Sequence, residues 1–258
     1  MGSRVQVLVA AMHQNDHSLL EKLNIQSDAI VGNQCDYNSI EHFTWGESNN
    51  NITYLNLNER GVGLNRNNAL MRATGEFCIF ADDDMTYIDG YPQIVETCFD
   101  ENKDADVIVF NIKENKPTRY IIKKFHRVRW YNFLRYGAVR IAIRRKKVFE
   151  QGILFNLCFG GGTEHSAGED ILFLSECLRK GLHIYAAPEG IARLNDNRES
   201  TWFQGYTDKF FMDKGFLYSI LSKKLKRMLC LQDSIRHEKL YGIKWTETYK
   251  RMVSGFPK

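Results

Sequence analysis

Phe77-Cys78-Ile79-Phe80-Ala81-Asp82-Asp83-Asp84-Met85 sets three carboxylates directly behind a short apolar run. The apolar part predicts a buried strand that ends at Ala81. Adjacent anions repel and resist desolvation, so stability alone is a poor reason for such a cluster at a strand end. A divalent cation resolves the conflict. Hard carboxylate oxygens suit Mg2+ or Mn2+, which share their coordination with substrate phosphates. The plain alternative is a solvated acidic turn capping the next helix. The flanking sequence favours the cation.

Outward from this stretch, strand and helix patterns alternate through the first hundred residues. Residues 4–11, 29–31, 52–55 and 105–110 predict strands. Residues 17–23 (with Asp16 near the N-cap), 64–73 and 91–99 predict helices. Such alternation predicts an α/β fold with a mainly parallel sheet and helices on both faces. Ligands then bind beyond the C-terminal strand ends, where Asp82 to Asp84 fall. After about residue 113 the regularity breaks. Residues 140–143 predict a strand, Gly160-Gly161-Gly162 a flexible or tight loop, and 171–178 a helix. Beyond Thr207 the pattern is helical, with Phe210, Phe211, Phe216, Leu217, Leu221 and Leu225 forming an apolar stripe that reads as core.

A chain of 258 residues with 43% hydrophobic content suits one large domain, or one with an appendage. The apolar run at 5–11 is too short for a membrane span or a secretory signal. Six scattered cysteines without a C-x-x-C pair argue against structural zinc and a disulfide framework, and suit a reducing cytosol. The net charge of +4 hides a polarity: residues 113–150 hold thirteen Lys or Arg against two Glu, and the remainder is net acidic. A second basic stretch is Lys223-Lys224-Leu225-Lys226-Arg227. Such patches attract phosphates, nucleic acid or an anionic membrane face, or are simply solvated surface.

Gly61-Val62-Gly63-Leu64-Asn65-Arg66 opens a helix after a strand but lacks the third glycine of a dinucleotide fingerprint. Arg66 there reads as an anion ligand or as half of a structural ion pair. Taken together, Gly63-Leu64-Asn65-Arg66-Asn67-Asn68-Ala69-Leu70, Ala73-Thr74-Gly75 and the strand running into Asp82-Asp83-Asp84 resemble the signature of glycosyltransferase family 2. The resemblance implies a GT-A fold, a nucleotide-diphosphate sugar donor and inversion at the anomeric carbon. Gly168-Glu169-Asp170-Ile171, after the glycine-rich loop, resembles the family's second landmark. It implies that Asp170 is the catalytic base, with Glu169 orienting it or holding an acceptor hydroxyl. The alternative is that both acids complement a helix N-terminus.

On the same resemblance, Asp82 and Asp84 are expected to hold Mn2+ or Mg2+, with Asp83 assisting and Arg66 offsetting charge on the donor. The turns that grip base and ribose in the family depart here, at Ala11-Met12-His13-Gln14-Asn15 and Gly32-Asn33-Gln34-Cys35-Asp36. Ala11, Asn33, Gln34 and Asp36 stand as candidates for that role, with UDP the expected nucleotide. Of the histidines, His13, His126 and His165 lie near candidate loops without metal-ligand spacing. Ser200-Thr201-Trp202-Phe203-Gln204-Gly205-Tyr206, then Lys209 and Lys214, resemble a bacterial capsule and exopolysaccharide subgroup. That implies Trp202 near the acceptor, Lys209 or Lys214 near the diphosphate, and a glycan acceptor carried on a polyprenyl diphosphate.

The expected organisation is a catalytic domain over 1–205, with a donor half to 112 and an acceptor half to 205, followed by a helical extension over 206–258. The expected place is the cytoplasm, with peripheral contact to an anionic membrane and no nucleic-acid partner. Two rivals remain. A sugar-nucleotide pyrophosphorylase would need a glycine-rich, basic loop that residues 8–16 lack. A polyanion-binding module built on 113–150 would bind RNA with a steep salt slope and ignore Mn2+.

Overall fold

The computed structural model describes residues 3–114, 119–195 and 205–257. Its strands are β1 (Val5–Met12), β2 (Asp28–Gln34), β3 (Ser39–Trp45), β4 (Asn50–Leu57), β5 (Phe77–Asp82), β6 (Met85–Tyr87), β7 (Val107–Lys113), β8 (His126–Val128), β9 (Ile141–Arg144) and β10 (Ile184–Leu194). Its helices are α1 (Ser18–Lys22), α2 (Val62–Arg72), α3 (Tyr91–Glu101), α4 (Arg145–Glu150), α5 (Glu169–Arg179), α6 (Asp208–Leu221), α7 (Lys226–Arg236), α8 (Glu238–Tyr241) and α9 (Trp245–Ser254). The strands form one sheet in the order β3-β4-β2-β1-β5-β9-β7-β10-β6, with β8 paired to β10.

The block β4-β2-β1-β5 is parallel throughout. Beyond it β9 runs antiparallel to both β5 and β7, so the sheet is mixed. Strict alternation within β1 and β5 explains the layering. Val5, Val7, Val9, Phe77, Ile79 and Ala81 face α1 and α3, whose Leu20, Tyr91, Val95 and Phe99 share that core. Leu8, Cys78 and Phe80 face the opposite core, with Leu70 of α2, Phe173 of α5, and Phe211, Leu217 and Met252 of the C-terminal helices. Strands covered on both faces read as continuous apolar runs, which is why these two were plain in the sequence. Phe80 meets Phe155 and Phe173 edge-on at centroid distances of 4.9 and 5.6 Å. Burying one such ring is worth roughly 1.5–3 kcal/mol.

Four strands are absent from the sequence expectation: the three-residue β6 and β8, and the longer β3 and β10. β3 pairs antiparallel with β4 at the sheet edge, and its Glu41 and His42 dilute the apolar pattern. β10 carries Pro188 and Gly190, and its pairing with β7 slips in register around them. Among the described residues no helix is long and apolar enough to cross a membrane. The six cysteines are all free.

Candidate active site

The parallel strands deliver their C-terminal ends to one edge, where β5 stops at Asp82 and a two-residue turn carries Asp83 and Asp84 into β6. Burial, then the charges of Asp82 and Asp83, raise the Asp84 carboxyl above its usual range. The turn is tied to β1 and α1: the Gln14 side-chain amide donates to Asp83 Oδ2 at 3.3 Å and Lys22 Nζ to the Asp83 carbonyl at 2.9 Å.

Arg66 joins this edge to the second half of the chain. Its side chain is only 3% exposed. Nη2 donates to Asp82 Oδ1 at 2.6 Å and Nη1 to Glu169 Oε1 at 2.8 Å. Burial works against the guanidinium charge, but Asp82 and Glu169 more than offset it and raise its pKa. The helix that aims Arg66 is pinned on both sides. Asn65 Nδ2 donates to the Gly32 carbonyl at 2.9 Å, and Asn67 exchanges bonds of 2.9 and 2.8 Å with the backbone of Phe155. A side chain at Gly63 would strike the Asn156 carbonyl, so glycine is required for that approach. The start of α2 is not an open anion cradle, because the Val62 N–H already donates to the Gly161 carbonyl.

Glu169 and Asp170 open α5 behind the glycine-rich loop. Gly160 has φ +101° and a Cβ there would overlap the Glu169 carboxylate, so the loop wraps that acid closely. Asp170 is partly accessible yet enclosed by protein. Burial, then the charge of Glu169, push its carboxyl up to about 7, against the Ile171 N–H and Arg66, which pull it down. Oδ1 accepts that N–H at 2.7 Å. Oδ2 faces Gly137, where an added Cβ would lie 3.3 Å away.

Arg66 thus contacts both Asp82 and Glu169, with Asp83 and Asp170 the next residues after those acids and Asp84 two residues past Asp82. The base and ribose candidates behave differently. Ala11 is buried in β1 opposite Asn33. Asn33 is fully buried, donating to the Gln14 carbonyl and Asn56 Oδ1 and accepting from the Gln14 N–H, so it shapes the β1 turn from within. Gln34 accepts the Gly61 N–H, and exposed Asp36 pairs with Arg60 at 2.8 Å. Lys214 does not join the group: it is held within the C-terminal helices by Asp233 and Tyr241, both at 2.5 Å. Lys209 reaches the Glu164 carbonyl and Asp213, which also binds His165. Trp202 lies outside the described residues.

Sequence reasoning missed Gln14 and Gly137. A small residue between Tyr136 and Ala138 gave no signal that this segment abuts Asp170. Among the described residues no three His, Cys, Asp or Glu side chains converge as a metal site.

Residues 39–159 match Glycosyl transferase family 2. The family 2 stretch is a little under half of the chain; it includes Arg66 and Asp82 to Asp84 and ends before Glu169. No curated protein matches the sequence. The crystal structure of S. aureus TarS 1-349 in complex with UDP-GlcNAc superposes with a TM-score of 0.67 at 15% identity, covering 100% of this chain and 82% of that one. The complex of TarS 1-349 with UDP gives 0.61 at 16% identity, covering 93% and 72%. The S. aureus TarS structure gives 0.62 at 17% identity, with this chain spanning 92% of itself and 44% of that chain. At these identities the likeness shows the fold, an α/β GT-A-like sheet with helices α6 to α9 appended.

Proposed function

We propose that this protein is an inverting glycosyltransferase that moves a sugar from a UDP-linked donor to a hydroxyl of a glycan acceptor. The observation that carries this reading is the Arg66 guanidinium gripping Asp82 and Glu169 at once. It locks the triplet at the β5 end to the acid pair of α5, so both halves of a displacement reaction share one rigid centre. The TarS structures that hold UDP-GlcNAc and UDP support a uridine nucleotide as donor. The capsule-like segment around 200–206 supports a lipid-linked glycan as acceptor.

In this reading the acceptor oxygen bonds to the anomeric carbon as the bond from that carbon to the diphosphate breaks. The acceptor proton passes to Asp170 Oδ2, the oxygen not engaged by Ile171. A base poised near neutrality suits that role. Glu169, fixed by Arg66 and the loop, holds the start of α5 in place. Asp82 and Asp84 would hold a Mg2+ or Mn2+ ion, since such ions commonly use one or two carboxylates and complete their shell with phosphates. When bound it would offset charge on the departing nucleoside diphosphate.

A thermal-shift screen of UDP-, GDP- and CMP-sugars with and without Mn2+ tests the donor, and UDP-sugars with Mn2+ are expected to give the largest shift. Asp84→Ala should lose that Mn2+-dependent shift. Asp170→Asn should keep it while transfer falls at least about 100-fold. Wild-type transfer by Asp170→Asn would refute the base assignment.

A further inference from the structure

We propose that the protein docks on an anionic lipid bilayer through a basic and apolar face built from α7, the turn before it, the end of α5 and residues 127–131. On α7, Cys230, Asp233 and Ser234 are buried in the bundle. The other side exposes Met228, Leu231 and Ile235, at 54, 38 and 54%, in a row spaced three and four residues apart. Leu225 extends the row at its N-terminal end. A helix already packed on one face gains nothing in water from a second apolar stripe, so the stripe calls for a cover.

The charges name the cover. Lys223, Lys224, Arg227 and Arg236 are exposed around the stripe. The acids of the same segment are engaged elsewhere: Asp233 is buried with Lys214, and Glu238 accepts the Trp245 N–H. The second basic stretch adjoins this one through α5. Arg179 donates to the carbonyls of Ile220 and Leu221 at 3.2 and 3.0 Å, setting the end of α5 against the end of α6, just ahead of Lys223. That same end of α5, at Leu178 and Gly181, forms a groove with Arg127, Arg129, Trp130 and Tyr131. Tyr131 is 78% exposed. The end of α5 thereby sets residues 127–131 beside the end of α6, from which the chain turns into Lys223 and α7.

A soluble polyanion would satisfy the lysines and arginines but leave Met228, Leu231 and Ile235 in water. An anionic bilayer satisfies both, with aromatic rings at headgroup level, aliphatic side chains below it and cations against lipid phosphates. The face shares no residue with the transfer centre, and its test reads binding alone.

The full chain is floated with phosphatidylcholine vesicles, with or without phosphatidylglycerol, at low and at physiological ionic strength. Partitioning is expected only with the anionic vesicles and should weaken with salt. Lys223→Glu with Lys224→Glu should lower it at least about tenfold. Met228→Ser with Ile235→Ser should lower it about tenfold at fixed salt. All four positions are exposed, and unchanged circular dichroism would show that the variants fold. Absence of partitioning at low salt would overturn the proposal. Loss on charge reversal alone, with the serine variant binding as wild type, would also overturn it and make the face a polyanion site. So would a dimer in solution that the serine variant dissociates while no vesicle is bound, which assigns the stripe to a second copy.

Discussion

Asn65, Arg66 and Asn67 are consecutive buried polar side chains, and each is held by a different part of the molecule: Gly32 in β2, the Asp82–Glu169 pair, and Phe155. Most buried polar groups find partners, and the bonds these three side chains make fix three distant segments relative to one helix. Asp170 is the opposite case, a carboxyl whose surroundings penalise its charge. Its ordinary value of 3.8 rises to about 7 on folding. Between those values the folded chain holds a proton that the unfolded chain has lost, so this group's contribution to stability falls as pH rises through the window. Asp170→Asn removes the penalty. Its melting temperature should exceed that of wild type at pH 8, and the gain should shrink towards pH 4, as read by differential scanning fluorimetry. Equal loss of stability at both pH values would contradict the buried, proton-holding state. Wild-type transfer should rise with pH through about 7 for the same reason. Arg66 and the two acid groups stood out in the sequence because their spacing resembles a family signature, and the matched stretch 39–159 takes in Arg66 and Asp82 to Asp84. Gln14 and Gly137 were not, since contact with Asp83 and Asp170 depends on tertiary folding that no local pattern records.

At the scale of elements, α6 and α9 pack backbone to backbone. A Cβ at Gly215 would overlap the Met252 carbonyl, and one at Gly255 would overlap the Met212 carbonyl. The two glycines are therefore reciprocal, each making room for the other helix. Gly255→Ala should cost about 1–3 kcal/mol through forced separation of the pair, measurable by urea denaturation; an unchanged midpoint would mean the helices are loosely apposed. α2 and β5 were visible in sequence because helical and continuous apolar patterns survive there. β3 and β10 were hidden, the first by Glu41 and His42 at an edge, the second by Pro188 and Gly190 at its register slips. The basic segment also divided on folding. Arg140 is buried, donating to the carbonyls of Phe110 and Tyr120, and burial lowers its pKa to about 10, so it adds nothing to the surface.

For the whole molecule, one apolar cluster runs from Leu8 and Phe80 through Phe159 and Phe173 to Phe211, Cys230 and Met252. Continuous packing of this kind predicts a single cooperative transition by calorimetry. Asp233 sits at the far end of it, bonded to His237, Lys214, Tyr218 and Tyr241. Burial disfavours its charge, but those bonds more than offset the cost and hold its carboxyl well below the usual range. The stability it supplies is present above that range and is lost on acidification. Asp233→Asn should cost about 3–5 kcal/mol and lower the one transition as a unit; a separate early step would show that the C-terminal helices melt alone. His165 adds a last consequence. Five residues ahead of Asp170, its ring packs against both Phe159 and Phe216, which also stack on each other, and its Nδ1 lies 2.9 Å from Asp213 of α6. The tail is therefore a splint on the loop ahead of Asp170, and the proposed chemistry there would inherit its rigidity from helices that lie outside the Arg66 group.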